Sequence, residues 1–147
     1  MRYKSQIIAR EYLVAALLLF LLQAAFGILN ITKYIWGYDP LVNIIPFNVS
    51  RAIHINLLVF WLLLGLMGAT YYMIADELKT EIYSVKLGRL QLGILLVSGV
   101  AAIVGYLFQW SFGMPFLEQP TVIKLAIVVA ALIFLANIIV TMFSSGS

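Results

Sequence analysis

His54 is the only histidine in 147 residues, and it lies inside a long apolar run. A coordinating or ionisable group at membrane depth is costly, which makes it a functional-site candidate by default. Imidazole is a common haem and metal ligand. Equally, a lone intramembrane histidine can do no more than hydrogen-bond a neighbouring helix. Arg51 precedes it by one helical turn. Its guanidinium can meet a haem propionate through charge-assisted hydrogen bonds or snorkel to the headgroups. Glu118, in Phe116-Leu117-Glu118-Gln119-Pro120-Thr121, is a third candidate. A carboxylate there can relay protons or contact a cation, or it can be an acid favoured by a helix N-terminus. Cysteine is absent, which excludes disulfides, thiolate metal sites and iron–sulfur clusters within the chain. Neither a Ser–His–acid set nor a phosphate loop is present.

Counting constrains any haem reading. Bis-histidine ligation needs two imidazoles, and this chain has one. Met67 and Met73 lie further along the same helix, and one helix cannot supply both faces of one haem. Met114 reads as a gap-filler in a loop. A second axial ligand must therefore come from another polypeptide or a further segment. Below His54, helical spacing gathers Gly65, Gly68 and Ala69, small residues that admit either a neighbouring helix or a flat macrocycle.

The elements that position these groups follow from composition. With 64% hydrophobic and 10% charged residues and a mean hydropathy of +1.06, a soluble domain of this size could not hide its apolar surface. The pattern predicts an all-α, multi-pass membrane protein with four spans at about 12–31, 52–74, 90–110 and 122–143. Together they form one four-helix unit over 1–143, and 144–147 reads as a flexible tail. An open sheet would leave backbone groups unpaired in lipid, and the alternation of a barrel strand is missing. Arg2 and Lys4 before the first run suggest a signal peptide, but that run is too long and lacks a cleavage pattern, so it reads as an uncleaved span.

Pro46-Phe47-Asn48 reads as the start of the second span, with Asn48 able to cap it. His54 then lies about 10 Å along the helix at 1.5 Å per residue. Arg2, Lys4, Arg10, Lys79, Lys86 and Arg89 fall on one side of the membrane, and Lys33, Arg51 and Lys124 on the other. The positive-inside rule puts both termini in the cytoplasm. Tyr34, Trp36, Tyr38 and Trp110 then mark the outer interface, and Tyr71, Tyr72 and Tyr83 the inner one. Gln23, Asn30, Asn56 and Asn137 should bond across helices. Asp76, Glu77, Lys79 and Glu81 read as a solvated loop. The net charge of +3 is modest and forms no basic cluster interleaved with aromatics, so nucleic acid is not a partner.

Several segments resemble a known family. They are Tyr3-Lys4-Ser5-Gln6, Ile45-Pro46-Phe47-Asn48-Val49-Ser50-Arg51-Ala52-Ile53-His54, Asn56 through Leu63, Gly65 through Tyr72, Glu81 through Leu87, Gly105-Tyr106-Leu107 and Phe116 through Thr121. In order and spacing this pattern is similar to the large subunit of bacterial nitric oxide reductase, in the haem–copper oxidase superfamily. The resemblance implies that His54 is an axial ligand of a low-spin haem b, that Arg51 contacts a propionate, and that Glu118 is an outer-loop acid associated with proton entry. It implies a bacterial cytoplasmic membrane location and electrons arriving from a cytochrome c-type subunit or quinol. They pass to a high-spin haem b paired with a non-haem iron, where two NO molecules couple to N2O and water.

The resemblance also sets limits. The family's subunit has about twelve spans, so these four are an incomplete portion of its bundle. The ligands of the high-spin haem and the non-haem iron would lie on other helices, so the chain alone should not be catalytic. Where the family loop reads Gly-Arg-Glu, this sequence has Gly113-Met114-Pro115, which argues against a calcium bridge to the propionates. Two other roles stay open from the residues alone: a non-catalytic membrane scaffold or degenerate paralogue, and a dimeric haem b electron carrier using His54 from two copies.

Overall fold

The computed structural model describes residues 3–35, 44–112 and 114–145. Arg2, Trp36, Tyr38, Gly113 and the last two residues of the expected tail lie outside the described residues. Four helices follow one another: α1 (Lys4–Ile35), α2 (Phe47–Glu77), α3 (Val85–Leu107) and α4 (Thr121–Ser145). All four are long and apolar enough to cross a bilayer. α1 and α2 have 32 and 31 residues and outrun the roughly 30 Å hydrocarbon core at 1.5 Å per residue. Their polar ends therefore continue the helix beyond the apolar runs.

The boundaries differ from the sequence expectation for local reasons. α2 begins at Phe47 with Pro46 as its cap residue, and no side chain caps it; Asn48 already lies inside the first turn. Proline's preset φ and missing N–H suit that place. α3 stops at Leu107, short of Trp110. Gln109 turns left-handed there, with φ 59°. Its N–H donates to Tyr106 O at 3.0 Å, and Trp110 N–H donates to Gly105 O at 2.7 Å, the paired bonds of a Schellman stop. α4 runs through Ser145, two residues into the expected tail, and Ser145 Oγ donates back to Thr141 O at 3.0 Å.

α1 packs along α2, and the small residues of α2 are what admit it. A Cβ on Gly68 would meet Tyr12 Cβ at 2.8 Å and Ala9 O at 3.1 Å. The surface that could have taken a helix or a macrocycle is thus filled by a helix at this level. The tyrosine expected at the interface, Tyr71, is instead fully buried, while Tyr72 and Tyr83 are exposed. Tyr71 can be buried because its hydroxyl donates to Gln91 Oε1 at 2.6 Å. Gln91 Nε2 in turn donates to the sulfur of buried Met67 at 2.9 Å. Asn137 of α4 exchanges two 2.9 Å bonds with the backbone of Ser84 and so ties the α2–α3 loop to α4.

The same loop anchors α1. Glu81 belongs to a loop whose charges read as solvated, yet its carboxylate accepts from Lys4 N at 2.7 Å and Ser5 N at 2.8 Å, and also from Ser5 Oγ. It caps the N-terminus of α1 from a loop far along the chain. Asp76 and Lys79 do form an exposed pair at 3.5 Å. Partial burial pushes the Glu81 carboxyl up, but the bonds from Ser5 and from the Lys4 and Ser5 amides outweigh it and hold the group below its ordinary value. Its contribution is therefore complete above the unfolded carboxyl's pKa and is lost as pH falls through the lower folded one. Glu81→Gln should cost about 1 kcal/mol at neutral pH. In thermal unfolding of the detergent-solubilised protein, the difference from wild type should shrink in acid.

Candidate functional site

The candidate residues gather at the end of the bundle opposite the Glu81 loop. They stand on the first two turns of α2, on the facing part of α1 and on the segment leading into α4. His54 is half-buried and points at α1. Its Nδ1 lies 2.8 Å from the Gln23 carbonyl oxygen. A carbonyl only accepts, so Nδ1 carries the proton and donates, and in the neutral ring Nε2 holds the lone pair. The Gln23 carboxamide nitrogen stands 3.3 Å from each ring nitrogen. Gly27, one turn further along α1, leaves room for the ring: a Cβ there would meet His54 Cε1 at 2.9 Å. Between the two helices opens a groove of about 390 Å³ that His54 and Gly27 share with Asn30, Tyr34 and Phe47. Nearby, Ser50 is fully buried and donates to Asn30 Oδ1, which holds α1 and α2 in register.

Arg51 and Glu118 are brought together. Arg51 Nη2 lies 3.6 Å from Glu118 Oε1; the Arg51 side chain is 45% exposed and Glu118 is buried. Asn56 Nδ2 donates to Glu118 Oε2 at 3.0 Å and to Ala52 O at 2.8 Å, and Gln119 Nε2 donates to Asn56 Oδ1. Glu118 is thus held by α2, and the first turn of α4 carries no acid. A cavity of about 70 Å³, lined in part by Tyr106, Gln109 and Ser111, opens nearby. The Tyr106 hydroxyl is buried without a protein partner. Among the described residues, no three His, Cys, Asp or Glu side chains converge on a metal position.

The sequence expectation named His54, Arg51 and Glu118 and placed Asn56 and Gln23 as cross-helix bonders. It did not connect Gln23 to His54, nor single out Gly27 or Gln119. One signal was available: Gln23 and Gly27 are a polar and a small residue at i and i+4 of an apolar helix, hence on one face.

For an imidazole-held haem the residues present are suitable. The proton on Nδ1 is tied to a backbone carbonyl, the arrangement that orients a ligating histidine. Nε2 is the nitrogen left for iron, Gly27 leaves space for the ring, and a groove adjoins it. Arg51 keeps donors beyond the one near Glu118, since a guanidinium has five.

Removing the carboxylate should expose how much this corner depends on it. Glu118→Ala leaves one Asn56 amide N–H without its acceptor and Arg51 without its counter-charge and should cost about 2–3 kcal/mol. Glu118→Gln keeps an acceptor for Asn56 and should cost about 1 kcal/mol. Equal losses in chemical unfolding of the two variants would contradict this account.

The family described as Cytochrome C and Quinol oxidase polypeptide I matches residues 7–146. The chain is 42% identical over 156 aligned positions to a nitric oxide reductase subunit of Stutzerimonas stutzeri. That alignment covers 97% of this chain and 33% of the relative, so the chain spans about a third of the relative's length.

Proposed function

The chain belongs to the cytochrome c and quinol oxidase polypeptide I family, and from that premise we propose that it is the N-terminal part of a nitric oxide reductase large subunit in which His54 is one axial ligand of a low-spin haem b. The observation that carries the reading is the His54 imidazole itself. Its Nδ1–H is bonded to the Gln23 carbonyl at 2.8 Å, and Gly27 leaves space for the ring beside an open groove. A bound haem would supply one-electron transfer. The chain's own residues do the rest: Gln23 orients the imidazole, Gly27 gives it room, and Arg51 can hold a propionate while staying within reach of Glu118. Glu118, buried and bonded to Asn56, is the acid available for proton entry on that side.

The second axial ligand, the high-spin haem b and the non-haem iron belong to helices outside these 147 residues, whose single histidine is already used. Electrons come from a cytochrome c-type subunit or quinol. The distribution of cations favours both termini on the cytoplasmic side, and with the family resemblance it supports a bacterial inner membrane with the His54 groove toward the outside. Met114 and Pro115 stand where the family has arginine and glutamate, so calcium finds no carboxylate at that position.

His54→Ala should abolish the low-spin haem b band in reduced-minus-oxidised spectra of the large subunit assembled with its remaining helices. Gly27→Ala should do nearly as much while leaving the helices folded: alanine raises helix propensity by about 0.5–1 kcal/mol but pushes the ring aside. A haem band unchanged in both variants would remove His54 from the site. The purified 147-residue chain alone should release no N2O from NO, and measured N2O would refute the division of roles.

A further inference from the structure

We propose that the polar cavity at the end of α3 is a water inlet, and that Tyr106 in its wall positions the water that feeds protons to Glu118. This role rests on the reading of Glu118 as the acid for proton entry and adds a route and a positioning residue to it. Among the described residues three tyrosines are fully buried, and two of them have partners. Tyr12 donates to Gly88 O at 2.7 Å and Tyr71 to Gln91 Oε1 at 2.6 Å. The Tyr106 hydroxyl has no partner within the protein. A buried hydroxyl left without a bond costs about 1–3 kcal/mol, so water or a ligand is its natural partner.

The cavity suits water in size and in lining. Its 70 Å³ or so gives room for about two waters at roughly 30 Å³ each. Val49, Ala52 and Tyr106 are its buried lining, and the exposed residues Asn48, Gln109 and Ser111 bring polar side chains to its mouth. It also adjoins Glu118. Phe112, next to Ser111, donates its N–H to the Glu118 carbonyl at 3.0 Å. The Ala52 carbonyl accepts from the same Asn56 amide that donates to Glu118 Oε2. The Glu118 charge reaches the Tyr106 hydroxyl, yet no direct bond joins the two. Water can join them, because it accepts from a hydroxyl and donates to a carboxylate. Each proton delivered to Glu118 leaves one water, and that water takes its replacement from the next one outward. One proton therefore enters at the mouth for each one delivered.

Radiolytic footprinting of the full chain in lipid nanodiscs reads the water directly. The probe is water itself: a brief X-ray pulse makes hydroxyl radicals, which oxidise a buried ring only where water stands beside it. Tyr106 should be oxidised several-fold faster than Tyr12 and Tyr71, equally buried rings whose hydroxyls are already bonded. Asn48→Leu combined with Ser111→Leu, both at exposed positions of the mouth, should remove that excess and leave the other two rings unchanged. In the large subunit assembled with its remaining helices, Tyr106→Phe should lower kcat for NO reduction about tenfold, less than loss of a direct proton-transfer group. KM and the haem b band should stay as they are, and the solvent deuterium isotope effect should rise. The substitution deletes no bond within the protein, so a merely structural role would not produce that split. Equal oxidation of the three tyrosines in wild type overturns the inlet, as does an excess at Tyr106 that survives the double variant. If Glu118→Gln slows turnover and Tyr106→Phe does not, the Tyr106 link falls and the Glu118 reading stands. If neither slows it, the Glu118 reading falls and takes this inference with it.

Discussion

A hydrocarbon layer has no water to offer, so a polar side chain on a spanning helix must find its partner inside the protein. That constraint organises these four helices more than their apolar surfaces do, since lipid tails are as apolar as leucine and give one helix little reason to prefer another. The polar pairs collect toward the two ends of the bundle. At one end Asn137 holds the Ser84 backbone, Tyr71 meets Gln91, and Glu81 caps α1. At the other, Asn30 meets Ser50, Gln23 meets His54, and Asn56 meets Glu118. Between them the contact is one of shape, with Gly68 of α2 taking the Tyr12 Cβ and the Ala9 carbonyl of α1.

The candidate site uses the same economy. The bonds that set the register of α1 against α2 also aim the imidazole, so imidazole orientation and helix packing are one arrangement. Ser50 with Asn30 and His54 with Gln23 are neighbouring rungs between the two helices. The Arg51–Glu118 pair extends the set to the segment before α4. The groove beside His54 is therefore walled by two helices that these bonds hold together.

Much of this was legible in the residues alone. Periodic, uncharged runs of sufficient length have one outcome in a bilayer, and the four helices, their order and their membrane class followed from that. Gln23, Asn30, Asn56 and Asn137 were recognisable as cross-helix bonders because an amide at that depth has more polar atoms than its own helix can satisfy. His54 stood out by its cost and its solitude, and the motif around it pointed to a family. The boundaries were less legible. They depend on bonds such as the Schellman pair at Gln109 and the return bond of Ser145, which residue type does not announce. Glu81 and Tyr71 were misplaced for a related reason: a carboxylate in a loop and a tyrosine near a helix end have a common solvated fate, and only a partner far along the chain reverses it.

Composition and spacing thus determined that the chain crosses a membrane four times and that one imidazole, one guanidinium and one carboxylate were worth attention. Those properties are local, set by how many apolar residues stand in a row and by what each side chain can do alone. Tertiary structure decided who meets whom. It joined Gln23 to His54, Arg51 to Glu118 and Glu81 to the first turn of α1, and it spent the small face of α2 on a helix at Gly68 while leaving a groove at Gly27. Such pairings depend on the rotation and depth of one helix against the next, and many rotations satisfy the same apolar pattern. The joint pairing of the buried polar groups selects among them.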